Sequence, residues 1–242
     1  MKNLLVKSLF EVQDTNWYFQ DRSSETALYE KYVDMHRVSV ASYSRHLKGT
    51  WELKFIGGRV NNINQAFQKT FFEIYNIWRQ GDVNILYTDP DTVAIKDFEP
   101  WNLGNHFMMF NHTDPRSFDA PNRYNKTFEN FFNAGVRYFP AGMSQHTWDL
   151  GLALASDWDE STYDTEQVIL NTMLWSQGVQ LHQVLQPKLA YQAHWLPDQA
   201  ALPEQDRWNG IDINYAAIVH THSSRNIDTK LQLMKHLFKE TK

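Results

Sequence analysis

The chain has no cysteine in its 242 residues, so it forms no disulfide and offers no thiolate to a metal. That composition fits a reducing compartment, and we expect a cytoplasmic protein. It has no basic run either. With 23 Lys and Arg against 28 Asp and Glu, a formal net charge of −5 and a pI near 6.0, nothing favours nucleic-acid binding. No stretch approaches the roughly 20 apolar residues that cross a bilayer, and mean hydropathy is −0.56. The opening MKNLLVKSLFEVQD has its apolar part cut by Lys7 and Glu11, so no signal peptide is expected. Asn111 and Asn125 head glycosylation sequons, which carry little meaning without a secretory signal. Linkers and internal repeats are missing too, so we expect one domain over residues 1–242.

Aromatic residues are abundant at 14%, nine of them Trp. Sugar stacking and a large core use the same residues, so this surplus does not choose between them. A first strand is expected over Asn3–Val12, followed by a polar, turn-like stretch over 13–24. Leu28, Tyr32, Met35 and His36 recur at helical spacing, which predicts a helix over Glu25–Val40. Residues 39–55 are ambiguous, with strands conceivable around Val38–Val40 and Trp51–Phe55, and Gly57-Gly58 reads as a break. A helix over Asn64–Arg79 aligns Phe67, Phe71, Ile74, Tyr75 and Trp78. Further expectations are a strand over His106–Asn111, a polar loop over 112–127 and a helix from Trp148 through Leu154. Another helix follows from Asp164, and a last one spans Asn226–Lys242 with Leu231, Met234, Leu237 and Phe238 on one stripe.

The most informative stretch runs from Asp82 to Asp97. Val83, Ile85 and Leu86 follow a Gln-Gly-Asp turn and predict a short buried strand. It ends in Tyr87-Thr88-Asp89-Pro90-Asp91, where a proline that donates no hydrogen bond separates two carboxylates. Acids at the carboxyl end of a buried strand stand where open α/β sheets bind ligands. A pair at i and i+2 can share a hard divalent cation, whose other oxygens often come from phosphates. An Asp-Pro-Asp turn that only closes a loop accounts for the same residues.

The segment Ile85–Val93 resembles the strand-and-DxD segment of nucleotide-sugar-dependent glycosyltransferases with the GT-A fold, in particular the glycogenin-like and lipopolysaccharide galactosyltransferase-like enzymes. Three further segments resemble that family in the same order. Phe131–Phe139 contains Phe132-Asn133-Ala134-Gly135-Val136, similar to the family's F-N-A-G-V strand, in which the Asn and the Ala-Gly backbone line the donor-sugar pocket. Small residues inside an aromatic strand also mean, on their own, a close backbone approach or a bulge. Glu166–Asn171 resembles the D-Q-D-x-x-N helix start, with Glu for the first Asp and Val168 where a second acid is frequent. Ala216–Arg225 is similar to a strand ending in His-x-x-Gly before a Lys, with Ser223 for the Gly and Arg225 nearest the base.

The resemblance implies one α/β domain with a mostly parallel, twisted central sheet and helices on both faces. It implies Mn²⁺ or Mg²⁺ held by Asp89, Asp91 and a histidine. Of His220 and His222, the former directly follows Ile218-Val219 and matches better by position. It also implies a nucleoside-diphosphate sugar donor, a UDP-sugar first among them, and a glycan or other hydroxyl acceptor. Donor contacts are expected from Tyr87, Asn133, Ala134, Gly135 and Arg225. Lys69 joins them if it is more than a surface charge of its helix. Glu166 or Asp164 would serve as base and Gln167 as a front-face stabiliser; the segments resemble retaining members more than inverting ones. Two other functions compete. A sugar nucleotidyltransferase opens with a Gly-rich basic phosphate loop, but EVQDTNWYFQD after Phe10 has neither glycine nor lysine. A non-catalytic sugar-binding protein on this fold would need no metal.

Overall fold

The computed structural model describes residues 1–13, 25–101, 103–113, 131–158, 165–178, 190–192, 217–221 and 227–240. Asp164, His222 and Arg225, the turn over 13–24 and most of the loop over 112–127 lie outside these residues.

Strand β1 (Lys2–Val12) is central because its Leu4, Leu5 and Val6 are buried and both its edges are paired. It runs parallel to β2 (Glu52–Val60) on one side and to β3 (Val83–Thr88) on the other. Beyond β3 come β6 (Phe131–Phe139), antiparallel to it, and β5 (Met108–Thr113), antiparallel to β6. The order is β2-β1-β3-β6-β5, so only β6 runs against the other strands and the sheet is mostly parallel. Every residue of β3 is buried, as a central α/β strand requires.

The second sheet has three short strands in the order β4-β8-β7, with β4 (Thr92–Ala94) antiparallel to β8 (Ile218–His220) and β7 (Ala190–Gln192) parallel to β8. Helix α2 (Ile63–Trp78) packs one face of the central sheet, with Phe71, Ile74, Ile77 and Trp78 in a core shared with Ile85 and Phe139. Helices α3 (Gln145–Ala155) and α4 (Thr165–Trp175) join that core through Trp148, Leu170 and Met173. On the other face, Leu5, Leu86, Val136 and Tyr138 meet Tyr43 of α1 (Glu25–His46). Helix α5 (Ile227–Glu240) packs with α1 and β4 through Leu231 and Met234, near Met35 and Val93. No helix among the described residues is long and apolar enough to cross a membrane.

Two expectations change. Residues 38–46 belong to α1 rather than to a strand. The buried face there is polar: Ser39 Oγ donates to the Thr92 carbonyl at 2.6 Å, and Ser42 Oγ accepts from the Ala94 amide at 3.0 Å. Hydrogen bonds to β4 replace the apolar periodicity that would have marked the helix. Gly57 and Gly58 do not break the chain but lie within β2, where a Cβ on Gly57 would come 2.6 Å from the Leu9 carbonyl oxygen. Gly58 has φ +133°, a conformation that glycine adopts without cost.

His36 is buried, with Nε2 at 2.9 Å from the Ser8 carbonyl oxygen. Burial, reinforced by Lys7, pushes its pKa down to about 3. The unfolded chain therefore takes up a proton below the ordinary histidine value of 6.5 that the fold refuses, so stability rises with pH between about 3 and 6.5. In urea titrations, His36→Gln is expected to flatten this acid limb by up to about 1.4 kcal/mol per pH unit, the value of one proton.

Candidate functional site

The chain leaves the central sheet at the end of β3 and enters the small sheet at β4, and the joint between them is Asp89-Pro90-Asp91. It is tied on all sides. The Asp89 amide donates to the Gly135 carbonyl at 2.8 Å, and Thr92 Oγ1 donates to the Asp89 carbonyl at 2.7 Å. Thr221 donates to the Asp91 carbonyl from both its amide and its hydroxyl, each at 2.9 Å. The antiparallel register Thr92↔His220 then sets His220 beside the second acid. One oxygen or nitrogen from each of Asp89, Asp91 and His220 falls within a 4.8 Å cluster. His220 Nε2 stands 3.0 Å from Asp91 Oδ1 and 3.9 Å from Asp89 Oδ2.

The set of two carboxylates and an imidazole fits Mn²⁺ or Mg²⁺, with Mn²⁺ the more tolerant of nitrogen. Asp91 is buried and Asp89 half-buried. Burial would raise the Asp91 pKa, but the Lys230 ammonium at 2.6 Å and His220 outweigh it and hold the carboxyl well below its ordinary range. Behind the joint, the fully buried Lys7 donates to Thr88 Oγ1 at 2.7 Å and to the Asp89 carbonyl at 3.2 Å. Desolvation pulls its pKa down to about 7, against the attraction of Asp89 and Asp91.

These groups open onto one cavity. Its apolar part is made by Leu9, Phe10, Tyr32, Met35 and Phe67, and its polar part by the joint, Asn133–Gly135, Glu166, Gln167, His220 and Lys230. Strand β6 thus lines the cavity with Asn133, Ala134 and Gly135, but two of their amides are already engaged. The Ala134 amide already donates to Gln167 Oε1 at 3.1 Å and the Gly135 amide to Asn133 Oδ1 at 2.8 Å. What approaches Gly135 is the His220 imidazole, since a Cβ there would collide with Cε1. Asn171 fixes the same strand by accepting from the Phe132 amide and donating to its carbonyl, each at 2.8 Å.

Glu166 meets Arg137 in a second buried ion pair, with Nη2 2.7 Å from Oε1. Arg137 Nε and Nη1 find no hydrogen-bond partner among the described residues, and the guanidinium lies 4.1 Å over the Tyr87 ring. Burial pushes the Glu166 carboxyl up, and Arg137 draws it back only in part. Tyr87 also exchanges a 2.7 Å hydrogen bond with Ser8, and burial drives its phenol well above its ordinary value.

Lys69 does not reach the cavity: α2 turns Ala66, Phe67 and Thr70 that way, and the exposed Lys69 lies over the Phe10 ring at 5.6 Å. Among the described residues, the cations near the site are Lys7, Arg137 and Lys230 instead. Each had a signal in the sequence. Lys7 and Arg137 interrupt apolar strands, and Lys230 keeps phase with Ile227 and Met234 on the buried stripe of α5.

A glycosyltransferase involved in the glycosylation of the major capsid of PBCV-1 superposes with a TM-score of 0.54. The match covers 98% of this chain and 100% of that one, at 9% identity. The chain shares that glycosyltransferase's fold. The galactosyltransferase LgtC, solved with donor and acceptor sugar analogues, matches over 98% of this chain and 95% of its own at 12% identity and a TM-score of 0.47. GlyE of Streptococcus pneumoniae TIGR4, a glycosyltransferase, matches over 99% and 62% at 15% identity and a TM-score of 0.44. No family model and no curated protein matches the sequence.

Gly135→Ala is expected to displace the His220 ring and weaken Mn²⁺ binding at least tenfold. Gly151→Ala is the control, because its Cβ would meet only the flexible Met173 side chain. Calorimetry on both variants checks this; equal affinities would free His220 from the cation set.

Proposed function

We propose that the protein is a divalent-metal-dependent glycosyltransferase that moves a sugar from a nucleoside diphosphate, UDP foremost, to a hydroxyl acceptor. The observation that carries this reading is the Asp89–Asp91–His220 cluster opening onto the same cavity as Asn133–Gly135 and Glu166–Gln167. The shared GT-A-like fold supports it.

Glycosyl transfer develops positive charge on the sugar ring and negative charge on the departing diphosphate. The cavity offers complementary charges to both. Asp89, Asp91 and His220 would hold Mn²⁺ or Mg²⁺, which supplies Lewis-acid stabilisation to a leaving diphosphate. Lys230, on the same wall, adds a positive charge for the phosphates. The Glu166 carboxylate faces the cavity from the start of α4 and suits either the oxocarbenium-like sugar or the acceptor proton. Gln167 is held by the Ala134 amide and lines the cavity, where it would meet the donor sugar. Tyr87 and Asn133 line the same space. The segments resemble retaining members of that family more than inverting ones, which favours a retaining transfer. Leu9, Phe10, Tyr32 and Met35 provide an apolar surface for the nucleoside.

Calorimetry with UDP and with GDP, each with Mn²⁺ or with EDTA, tests the metal bridge. Binding is expected only with the cation, because a diphosphate cannot approach two carboxylates unscreened; equal affinity in EDTA would sink the metal-dependent reading.

Glu166→Gln is expected to leave donor affinity within about threefold and to lower turnover by about 10²-fold or more, the usual worth of a positioned acid or base. The substitution also strips Arg137 of its counter-charge, so a lowered melting temperature accompanies it. Wild-type turnover in the variant would reduce Glu166 to the structural partner of Arg137.

A further inference from the structure

Strand β6 carries a single charged side chain, Arg137, and it stands among the buried Val136, Tyr138 and Phe139. An apolar residue would fill that place without taking an ion out of water. Replacing a buried ion pair by apolar packing is often neutral or stabilising, so stability alone does not call for this arginine. Its donors are little used: Nη2 meets Glu166 Oε1 at 2.7 Å, while Nε and Nη1 find no partner among the described residues. The guanidinium serves one carboxylate. Its direction is set from the sheet, where Tyr87 stands opposite Arg137 in the register of β3 and β6. The Tyr87 ring lies 4.1 Å from the guanidinium, and its hydroxyl shares a 2.7 Å hydrogen bond with Ser8. A line of contacts thus runs from β1 through β3 and β6 to the start of α4, and Glu166 ends it at the cavity wall. Arg137 is not among the residues that line the cavity, so it reaches the chemistry only through Glu166.

We propose that Arg137 is a positioning residue of the transfer, keeping Glu166 ionised and fixed at the cavity wall as a carboxylate. This rests on the reading of Glu166 as the group that meets the sugar or the acceptor. A neutral acid could neither face an oxocarbenium-like ring with charge nor take up the acceptor proton. Helices α2 and α3 meet α4 through apolar residues such as Phe71 and Trp148. Among the described residues the charged groups acting on Glu166 are Arg137 on β6 and Asp89 at the end of β3. Burial and Asp89 both favour the neutral acid, and Arg137 opposes them. Without the guanidinium, Glu166 therefore takes up its proton at a higher pH. A reaction that needs the carboxylate is lost as the pH falls through that midpoint, so its acid limb moves to higher pH as well.

The test follows Glu166 directly and the reaction beside it, in the wild type, Arg137→Met and Arg137→Lys. NMR of protein labelled with ¹³C at the glutamate carboxyls gives the Glu166 midpoint, its signal identified by its absence in Glu166→Gln. In parallel, kcat for hydrolysis of UDP-glucose and UDP-galactose with Mn²⁺ is measured against pH. Arg137→Met is expected to raise the Glu166 midpoint by about one pH unit or more, and the acid limb of kcat by the same amount. Arg137→Lys restores the charge and is expected to bring both within about half a unit of the wild type. Loss of a merely structural contact would lower the melting temperature, and the rate at every pH, without moving the limb. Should Arg137→Met not fold, Arg137→Gln, polar but uncharged, is read in the same way. A midpoint that stays where it was in the uncharged variant, or one that rises while the limb does not follow, overturns the positioning role and leaves the proposed activity standing. Absence of hydrolysis by the wild type at every pH overturns the proposed transfer instead, and the midpoint still decides whether Arg137 governs Glu166.

Discussion

The buried carboxylate of Asp91 is the constraint around which the other elements are arranged. An ion of that size taken from water into a protein interior costs several kcal/mol unless partners replace the lost solvation. Three elements converge to do so. Strand β8 brings His220 and Thr221, helix α5 brings Lys230, and β4 begins immediately after the acid itself. The small sheet β4-β8-β7 thus closes the Asp89–Asp91–His220 cluster rather than merely extending the fold. Loss of the carboxylate would leave a buried ammonium without its counter-charge, and for that reason the site and the packing of α5 stand together.

The second buried pair, Glu166 with Arg137, obeys the same rule on the other side of the cavity. Its geometry differs, since Arg137 leaves two of its nitrogens without hydrogen bonds among the described residues and leans on the Tyr87 ring. A cation over an aromatic face is stabilised by the ring quadrupole, which offsets part of that deficit. The result is a cavity lined by both a cation, Lys230, and an acid, Glu166. Charges of both signs on one cavity suit the heterolysis of the proposed transfer.

Much of this was legible in the sequence. The strands around β3 and β6 follow from apolar runs, and the amphipathic stripe of α2 marks that helix within one residue at each end. The Asp89, Asp91 and His220 grouping followed from motif order rather than from local pattern. What stayed hidden has a common physical cause: contacts that cross long sequence distances through polar atoms. The end of α1 is buried through serines bonded to β4, so its periodicity looks broken. The partnerships of Lys7 with Thr88, Arg137 with Glu166 and Lys230 with Asp91 depend on the fold, and only the isolated charge in an apolar run hints at them. Gly57 and Gly58 looked like a break because glycine marks turns as often as close strand approach.

Where the start of α4 differs from the glycosyltransferase pattern that it resembles, the same charge balance is at work. Among the described residues the buried acids are Asp91 and Glu166, and each has a buried Lys or Arg against it. Glutamate in place of the family's first aspartate extends the carboxylate by one methylene, the added reach with which it meets Arg137 on β6. Val168 stands where a second acid is frequent, and it is buried. A carboxylate there would enter the protein beside a helix start whose arginine, Arg137, is already committed to Glu166. The apolar residue at 168 and the arginine at 137 are thus two parts of one solution. The helix start keeps a single acid for the cavity, matched by the arginine opposite it.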